Sequence, residues 1–156
     1  MEKEMNNQDW TRVAEIEISY HPKVKPSQRP VIRTSGEIYR ILYQLWNKNL
    51  LELQEEFKVL LLNRRNKILG VFNASAGGIA GTVADPKLIL AAALRAGASL
   101  LVLAHNHPSG EARPSRADEI LTEKIKTAAS FLDMTVLDHV IVTTEGYFSF
   151  ADAGLL

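Results

Sequence analysis

The alternation of short apolar runs with capped helical patterns predicts an α/β fold for this chain of 156 residues. The apolar runs have the length of buried strands. The patterns between them show one apolar face and recognisable capping residues, as helices do. A helix that lies between two strands in the chain usually covers a face of their sheet. The chain length fits one domain with its own hydrophobic core.

The N-terminal part of the chain shows the least regular pattern. Residues 1–10 are polar and predict a disordered tail, and residues 11–156 are predicted to form a single domain. Within Val13–Tyr20 apolar and polar residues alternate, which predicts a strand. Residues 21–33 are basic and contain three prolines, so regular structure cannot run through them. Residues 11–50 should therefore hold a strand, a proline-rich loop and a helix.

A helix and a hairpin follow this loop in the prediction. Thr34 and Glu37 have the spacing of a capping box and open the helix. Its expected apolar face consists of Ile38, Ile41, Leu42, Leu45 and Trp46. The segments Glu56–Asn63 and Lys67–Asn73 are typical of two strands joined by a polar turn.

The second half of the domain predicts two more helices, with a buried strand between them and a hairpin at the end. The dipeptide Asp85-Pro86 is a cap followed by a first-turn proline. The apolar run at residues 99–104 is typical of a buried strand. Asp118–Leu132 has a helical pattern whose inward face is predicted to be Ile120, Leu121, Ile125, Ala128, Ala129 and Leu132. Thr135–Val142 and Tyr147–Phe150 predict the closing hairpin.

The composition disfavours several classes of protein. The chain has no cysteine, which removes disulfides, thiol nucleophiles and Cys-ligated zinc, and fits a reducing cytoplasm. No run approaches ~18 apolar residues, and the N-terminus lacks the apolar core of a signal peptide. We therefore expect a cytoplasmic protein with no membrane partner.

The charge balance argues against a dedicated nucleic-acid binder, because eighteen basic and eighteen acidic residues cancel. Nucleic-acid binding is expected to be weak and lost with added salt. It would rest on the loop residues Lys23, Lys25, Arg29 and Arg33. A solvated loop is the simpler interpretation of these four side chains.

The strongest chemical signal is the group His105, His107 and Asp118. Residues i and i+2 of an extended chain point to the same side, so both imidazoles can meet one ion just past the strand end. A carboxylate follows eleven residues after the second histidine. Three nitrogen and oxygen ligands leave a fourth tetrahedral position free, as in catalytic zinc sites. The group therefore predicts a catalytic metal site.

A purely structural interpretation exists for part of this group. Ser115 and Asp118 have the spacing of a capping box, with Ser115 as N-cap and Asp118 favoured by the helix dipole. Taken alone, either feature is more often structural than metal-binding. Two of only four histidines at the end of an apolar strand, followed by a serine and an acid at a helix start, favour the metal.

The spacing resembles that of a known metalloprotease family. His105-x-His107, seven residues, Ser115, two residues and Asp118 are similar to the core signature of the JAMM/JAB (MPN-type) domains. The wider context resembles the RadC-like branch, with His105-Asn106-His107-Pro108-Ser109-Gly110 and later Leu137-Asp138-His139. The resemblance extends from about residue 52 to the C-terminus. It implies a three-layer α/β/α fold with a mixed, curved sheet, also described as cytidine-deaminase-like.

The resemblance also implies a reaction and roles for individual residues. Zinc held by His105, His107 and Asp118 would activate water for hydrolysis of an amide bond in a peptide or protein substrate. A glutamate just upstream would be the general base. The family spacing selects Glu55, and Glu56 remains an alternative. Ser115 is implied as a hydrogen-bond donor to the developing oxyanion.

Two departures qualify the resemblance. The helix-hairpin-helix region of many RadC-like chains is not seen, and Asp85-Pro86 stands where a His-Pro pair is expected. We considered His139 as a fourth ligand. Because Asp138 and His139 alternate faces on a strand, at most one of them points to the site, and a structural or supporting hydrogen bond is favoured.

The alternative function is a non-hydrolytic RadC-like accessory module in DNA repair or mobile-element anti-restriction.

Overall fold

The computed structural model describes residues 17, 20–77 and 84–156. The predicted tail at residues 1–10 and nearly all of the predicted strand at 13–20 lie outside these ranges. Among the described residues, no helix is long and apolar enough to cross a membrane.

Within the described residues, five strands form one sheet, which is mixed, as predicted. They are β1 (Glu56–Leu62), β2 (Ile68–Ala76), β3 (Leu100–Asn106), β4 (Thr135–Val142) and β5 (Tyr147–Ser149). Their spatial order is β2-β1-β3-β4-β5. β1 pairs antiparallel with β2 and β3, β3 and β4 are parallel, and β4 and β5 are antiparallel. The apolar β3 is therefore the central strand.

The helices α1 (Ser35–Leu45), α2 (Pro86–Ala96) and α3 (Arg116–Ser130) complete three layers, which confirms the predicted α/β/α architecture. One buried cluster joins α1 to one face of the sheet. The other cluster joins α2 and α3 to the opposite face. Alternate residues of the central strands feed the two clusters, as the pleat of a strand requires.

The predicted helix caps are largely confirmed. The Asp85 carboxylate accepts a hydrogen bond from Lys87 N at 2.9 Å, and Gly97 ends α2 in the left-handed region at φ 65°. Thr34 Oγ1 accepts from Glu37 N at 3.2 Å. The Glu37 carboxylate accepts from Arg33 N, one residue before the cap residue, so the predicted box is not reciprocal.

The predicted inward face of α3 is partly wrong. Ile120 is 56% exposed, and Leu132 is exposed beyond the end of the helix. Thr122 is buried instead and lies on one stripe with Ile125 and Ala129. The helix turns this stripe towards the sheet, where the Thr122 hydroxyl hydrogen-bonds His139 of β4. In α1, the predicted face is also partly wrong, since Leu45 is exposed.

Candidate metal centre

The central strand and the start of α3 bring the three predicted ligands together. β3 continues two residues further than predicted, so His105 lies within the strand rather than past its end. The extension is paired on both sides, with His105 opposite Phe57 of β1 and Ile141 of β4. His107 follows the strand, and Asp118 occupies the first turn of α3.

The donor atoms of the three side chains converge. The Nε2 atoms of His105 and His107 are 2.9 Å apart. Asp118 places Oδ1 3.2 Å from the first of these nitrogens and Oδ2 3.5 Å from the second. Metal–ligand bonds of about 2.0–2.1 Å at tetrahedral angles would separate neighbouring donors by about 3.3 Å. The observed distances bracket this separation, so the group could hold a metal ion.

A buried chain of hydrogen bonds assigns the tautomer of His105. Thr122 Oγ1 donates its single proton to the Asp118 carbonyl oxygen at 2.6 Å. It must therefore accept from His139 Nδ1, which lies 2.6 Å away. Burial holds the pKa of His139 well below its usual range, so this ring is neutral and its Nε2 accepts. The donor is His105 Nδ1 at 2.8 Å, which leaves the lone pair of neutral His105 on Nε2.

His107 receives the same tautomer from a different partner. Its Nδ1 donates to the Glu111 carbonyl oxygen at 2.7 Å, so the lone pair of the neutral ring lies on Nε2. Two nitrogen lone pairs and a carboxylate then face one another with no hydrogen between the two nitrogens. Only a cation or an added proton removes the resulting repulsion. The donor set therefore fits a divalent metal held by the paired histidines and the acid.

The pKa shifts of Asp118 and His107 also indicate that the cluster favours a positive charge next to the carboxylate. Burial alone would raise the pKa of the Asp118 carboxyl, but the neighbouring imidazoles of His105 and His107 stabilise its ionised form and hold that pKa well below its usual range. The Asp118 carboxylate, which can accept a hydrogen bond from the protonated ring, raises the pKa of His107 despite partial burial. Asp118 is therefore ionised at neutral pH, which is the form that binds a metal.

The capping box predicted for Ser115 and Asp118 is present together with the ligand cluster. Ser115 Oγ accepts from Asp118 N at 3.2 Å, and Asp118 Oδ2 accepts from Ser115 N at 2.7 Å. The second bond orients the carboxylate that faces the histidines. Ser115 is exposed, and its hydroxyl acts in the cap as an acceptor, so its own proton is available to a further group. The structural and chemical interpretations are thus compatible.

The sheet register separates the two candidate glutamates. Glu55 precedes Phe57 by two residues and, in extended backbone, points to the same face. The Phe57 ring lies parallel to the His105 ring, with centroids 5.9 Å apart. The Glu55 carboxylate contributes to the raised pKa of His107, so it lies within electrostatic reach of the cluster. Glu55 therefore faces the layer that contains the ligands.

Glu56 faces the α1 layer instead. Its carboxylate lies 3.6 Å from Lys58 Nζ, and Lys58 lies over the Trp46 ring at 4.9 Å. Lys58 is only 7% exposed and donates to Asn73 Oδ1 at 2.9 Å. A lysine two residues after Glu56 would by itself suggest solvent on this side of the strand, but α1 covers it.

The sequence resemblance is supported by a comparison with known families. A family model described as RadC-like JAB domain matches residues 32–155. The chain belongs to this family. The match covers all three helices and all five strands of the described sheet.

Curated relatives of this RadC-like JAB domain include several UPF0758 proteins. One from Flavobacterium johnsoniae is 52% identical over 101 residues, which cover 65% of this chain and 44% of the relative. One from Porphyromonas gingivalis is 46% identical over 133 residues, which cover 84% and 59% respectively. UPF0758 protein YeeS of Escherichia coli K12 is 44% identical over 103 residues, covering 66% and 70%. The chain spans about half the length of the first two relatives.

Asn106 is the site residue of this RadC-like JAB domain that the sequence analysis missed. Asn106 lies between the two histidines in sequence, and its side chain is fully buried. It points to the opposite face of the sheet from the ligands. Oδ1 accepts from Glu56 N, and Nδ2 donates to the carbonyl oxygens of Leu51 and Gln54, each at 2.8 Å. Asn106 therefore hydrogen-bonds the segment around Glu55 to β3, the strand that contains His105. A polar residue inside a buried strand was the available signal.

The preference for His139 as a supporting residue over a fourth ligand agrees with the geometry. His139 stacks on Phe150 and hydrogen-bonds His105 from behind. Its neighbour Asp138 accepts from Ser149 Oγ at 2.7 Å and from Ala151 N at 3.0 Å. Burial raises the pKa of the Asp138 carboxyl. His139 therefore supports the candidate ligand His105, and Asp138 anchors the end of β5.

Proposed function

We propose that this RadC-like JAB domain is a zinc-dependent metallopeptidase or isopeptidase that hydrolyses an amide bond. The observation that carries the proposal is the convergence of two assigned Nε2 lone pairs and an ionised carboxylate. The side chains of His107 and Asp118 remain 17% and 15% exposed, so a substrate can reach the cluster from solvent. A closed structural site would be expected to bury all its ligands and to use four of them.

Zinc is the metal that we propose, because two imidazoles and one carboxylate at a tetrahedral spacing suit it. When bound, zinc supplies Lewis-acid chemistry that polarises a carbonyl oxygen and acidifies a water molecule. The His105–His139–Thr122 hydrogen-bond chain and the Glu111 carbonyl hold both imidazoles in the ligating tautomer.

Two further side chains are proposed to carry the proton transfers and the charge of the reaction. Glu55 takes a proton from the attacking water and returns it to the leaving amine. Its electrostatic effect on His107, together with its place on the strand face of the ligands, supports this role. The Ser115 hydroxyl donates a hydrogen bond to the oxyanion that forms on the substrate carbonyl. The substrate in this proposal is a peptide or a protein.

Metal content and hydrolysis measured on the same preparations test the proposal. The protein is purified without a histidine tag, loaded with zinc, and assayed against a mixed library of peptides and isopeptide-linked peptides by mass spectrometry. We expect one zinc per chain and defined cleavage products. The variant Asp118→Asn should lose both, whereas the capping variant Asp85→Asn should retain both. Zinc-loaded protein that leaves the whole library uncut would contradict the proposal.

A further inference from the structure

Two basic segments that are far apart in the chain meet at the end of the sheet opposite the metal centre. The proline-containing segment at residues 21–33 crosses the turn between β1 and β2. Ile32 N donates to Asn66 O at 3.0 Å, and Ile68 N donates to Pro30 O at 2.9 Å. Val31 and Lys67 form an isolated bridge between these bonds. The two segments thus make one continuous surface.

This surface concentrates positive charge. We call it the basic end and define it by Lys23, Lys25, Arg29, Arg33, Arg64, Arg65 and Lys67. Five of these seven side chains are exposed, and Arg29 and Lys67 are half-buried. Residues 20–67 contain ten Lys and Arg but only four Asp and Glu. The neutral total charge of the chain therefore conceals a marked separation of charge.

Carboxylates do not neutralise the basic end within the described part of the chain. None of the six ion pairs found there includes one of its seven residues. Glu37, the nearest acid in sequence to Arg33, accepts from the Arg33 backbone. Asp152 accepts from Ser35 Oγ at 2.6 Å. The cationic groups of the basic end remain available to an external anion.

The backbone beneath these charges is held in place. Asn63 Oδ1 accepts from Arg65 N at 2.9 Å and from Lys67 N at 3.1 Å, which closes the turn. Asn66 adopts a left-handed φ of 58°, as asparagine does more readily than most residues. Lys67 Nζ donates to Pro26 O at 3.0 Å and ties the turn to the loop. A fixed backbone loses little conformational entropy when the surface binds a ligand.

We propose that the basic end binds the phosphate backbone of duplex DNA. Four of the seven residues are arginines, whose guanidinium groups suit bidentate contacts with phosphate. Arg64 and Arg65 project from the tip of the turn, where a repeating anionic backbone can be reached from one side. The seven residues of β1 separate this end from the ligand cluster by about 20 Å. DNA bound there leaves the metal centre accessible, so this binding is independent of the proposed peptidase activity.

Fluorescence anisotropy with a labelled duplex of arbitrary sequence tests the proposal. We expect binding at low salt whose logarithm falls linearly with the logarithm of salt concentration. The variant Arg64→Ala/Arg65→Ala should bind about tenfold more weakly, with a salt slope smaller by about two. The matched control Lys124→Ala/Lys126→Ala removes two lysines of α3 and should bind like the wild type. His107→Ala should also bind normally, which separates this result from any failure of the peptidase proposal.

Several results would overturn the inference. The absence of binding at low salt is one. Equal weakening in the α3 control is another, because it would show a non-specific charge effect. Competition assays with polyglutamate and with vesicles that contain anionic lipid complete the test. Either competitor displacing the duplex at an equal concentration of charge would replace DNA with an acidic protein or a membrane surface.

Discussion

At the scale of single residues, alternation along one strand decides which side chains meet the metal centre. Glu55 and Glu56 are adjacent acids with nearly the same sequence context, yet they face opposite layers of the fold. Asn106 and His105 divide in the same way on β3. Such neighbours cannot exchange roles, because a one-residue shift of register would move every side chain to the other face.

The first residue-scale prediction concerns the general base. Glu55→Gln keeps the shape of the side chain but removes its ability to accept a proton, so hydrolysis should fall at least a hundredfold. Zinc content, measured by mass spectrometry, should stay normal. Glu56→Gln is the matched control and should hydrolyse like the wild type, because its carboxylate is paired with Lys58 in the other layer. An essential Glu56 with a dispensable Glu55 would show that the assigned register is wrong.

A second prediction concerns the buried amide of Asn106. Asn106→Leu would leave Glu56 N and the carbonyl oxygens of Leu51 and Gln54 without their partner. Each unsatisfied buried group costs about 1–3 kcal/mol, so the free energy of unfolding should fall by about 3 kcal/mol or more. Urea denaturation measures this loss. Asn47→Leu removes one hydrogen bond from an exposed turn and should cost less. Similar losses for both variants would contradict the role of Asn106.

At the scale of elements, the prediction from sequence succeeded where the determinants are local. Caps at Asp85 and Ser115 depend on residues two or three positions away, and the ligand spacing depends on one strand and one helix start. The burial of Lys58 and the exposure of Ile120 depend instead on helices that pack from distant parts of the chain. Periodicity alone cannot supply the rotation of a helix about its axis. The hydrogen bonds of Asn106 join residues about fifty positions apart, so periodicity could not predict them either.

The element-scale prediction tests how α3 and β4 support the ligand on β3. Thr122→Val removes the hydroxyl that accepts from His139 and keeps the side-chain volume. Without this acceptor the tautomer of His139 is no longer fixed, and His139 no longer fixes the tautomer of His105. Zinc affinity should then fall about 10–100-fold, as it does when other hydrogen-bond partners of metal-ligating histidines are mutated. Competition with a chromophoric chelator measures this affinity. Thr127→Val alters an exposed threonine of the same helix and should bind zinc normally. Equal affinities for the two variants would refute the support role.

At the scale of the whole molecule, the apolar core and the candidate metal centre rest largely on different contacts. The two apolar clusters lie on opposite faces of the sheet and extend far from the ligands. His105 is held by strand pairing on both sides, and Asp118 is held by the helix cap. The basic end belongs to the same scale, because only the fold joins its two segments. A net charge of zero could not reveal it.

Metal removal tests this separation of stability from chemistry. After chelation with EDTA, the far-ultraviolet circular dichroism and a single cooperative unfolding transition should both persist, because the core does not depend on the ion. Zinc binds only the folded state, so adding it back should raise Tm modestly and in proportion to the logarithm of its free concentration. His107→Ala should show almost no such shift, since it lacks one ligand. Loss of the cooperative transition with EDTA would mean that the ion is structural, and it would count against the hydrolytic function as well.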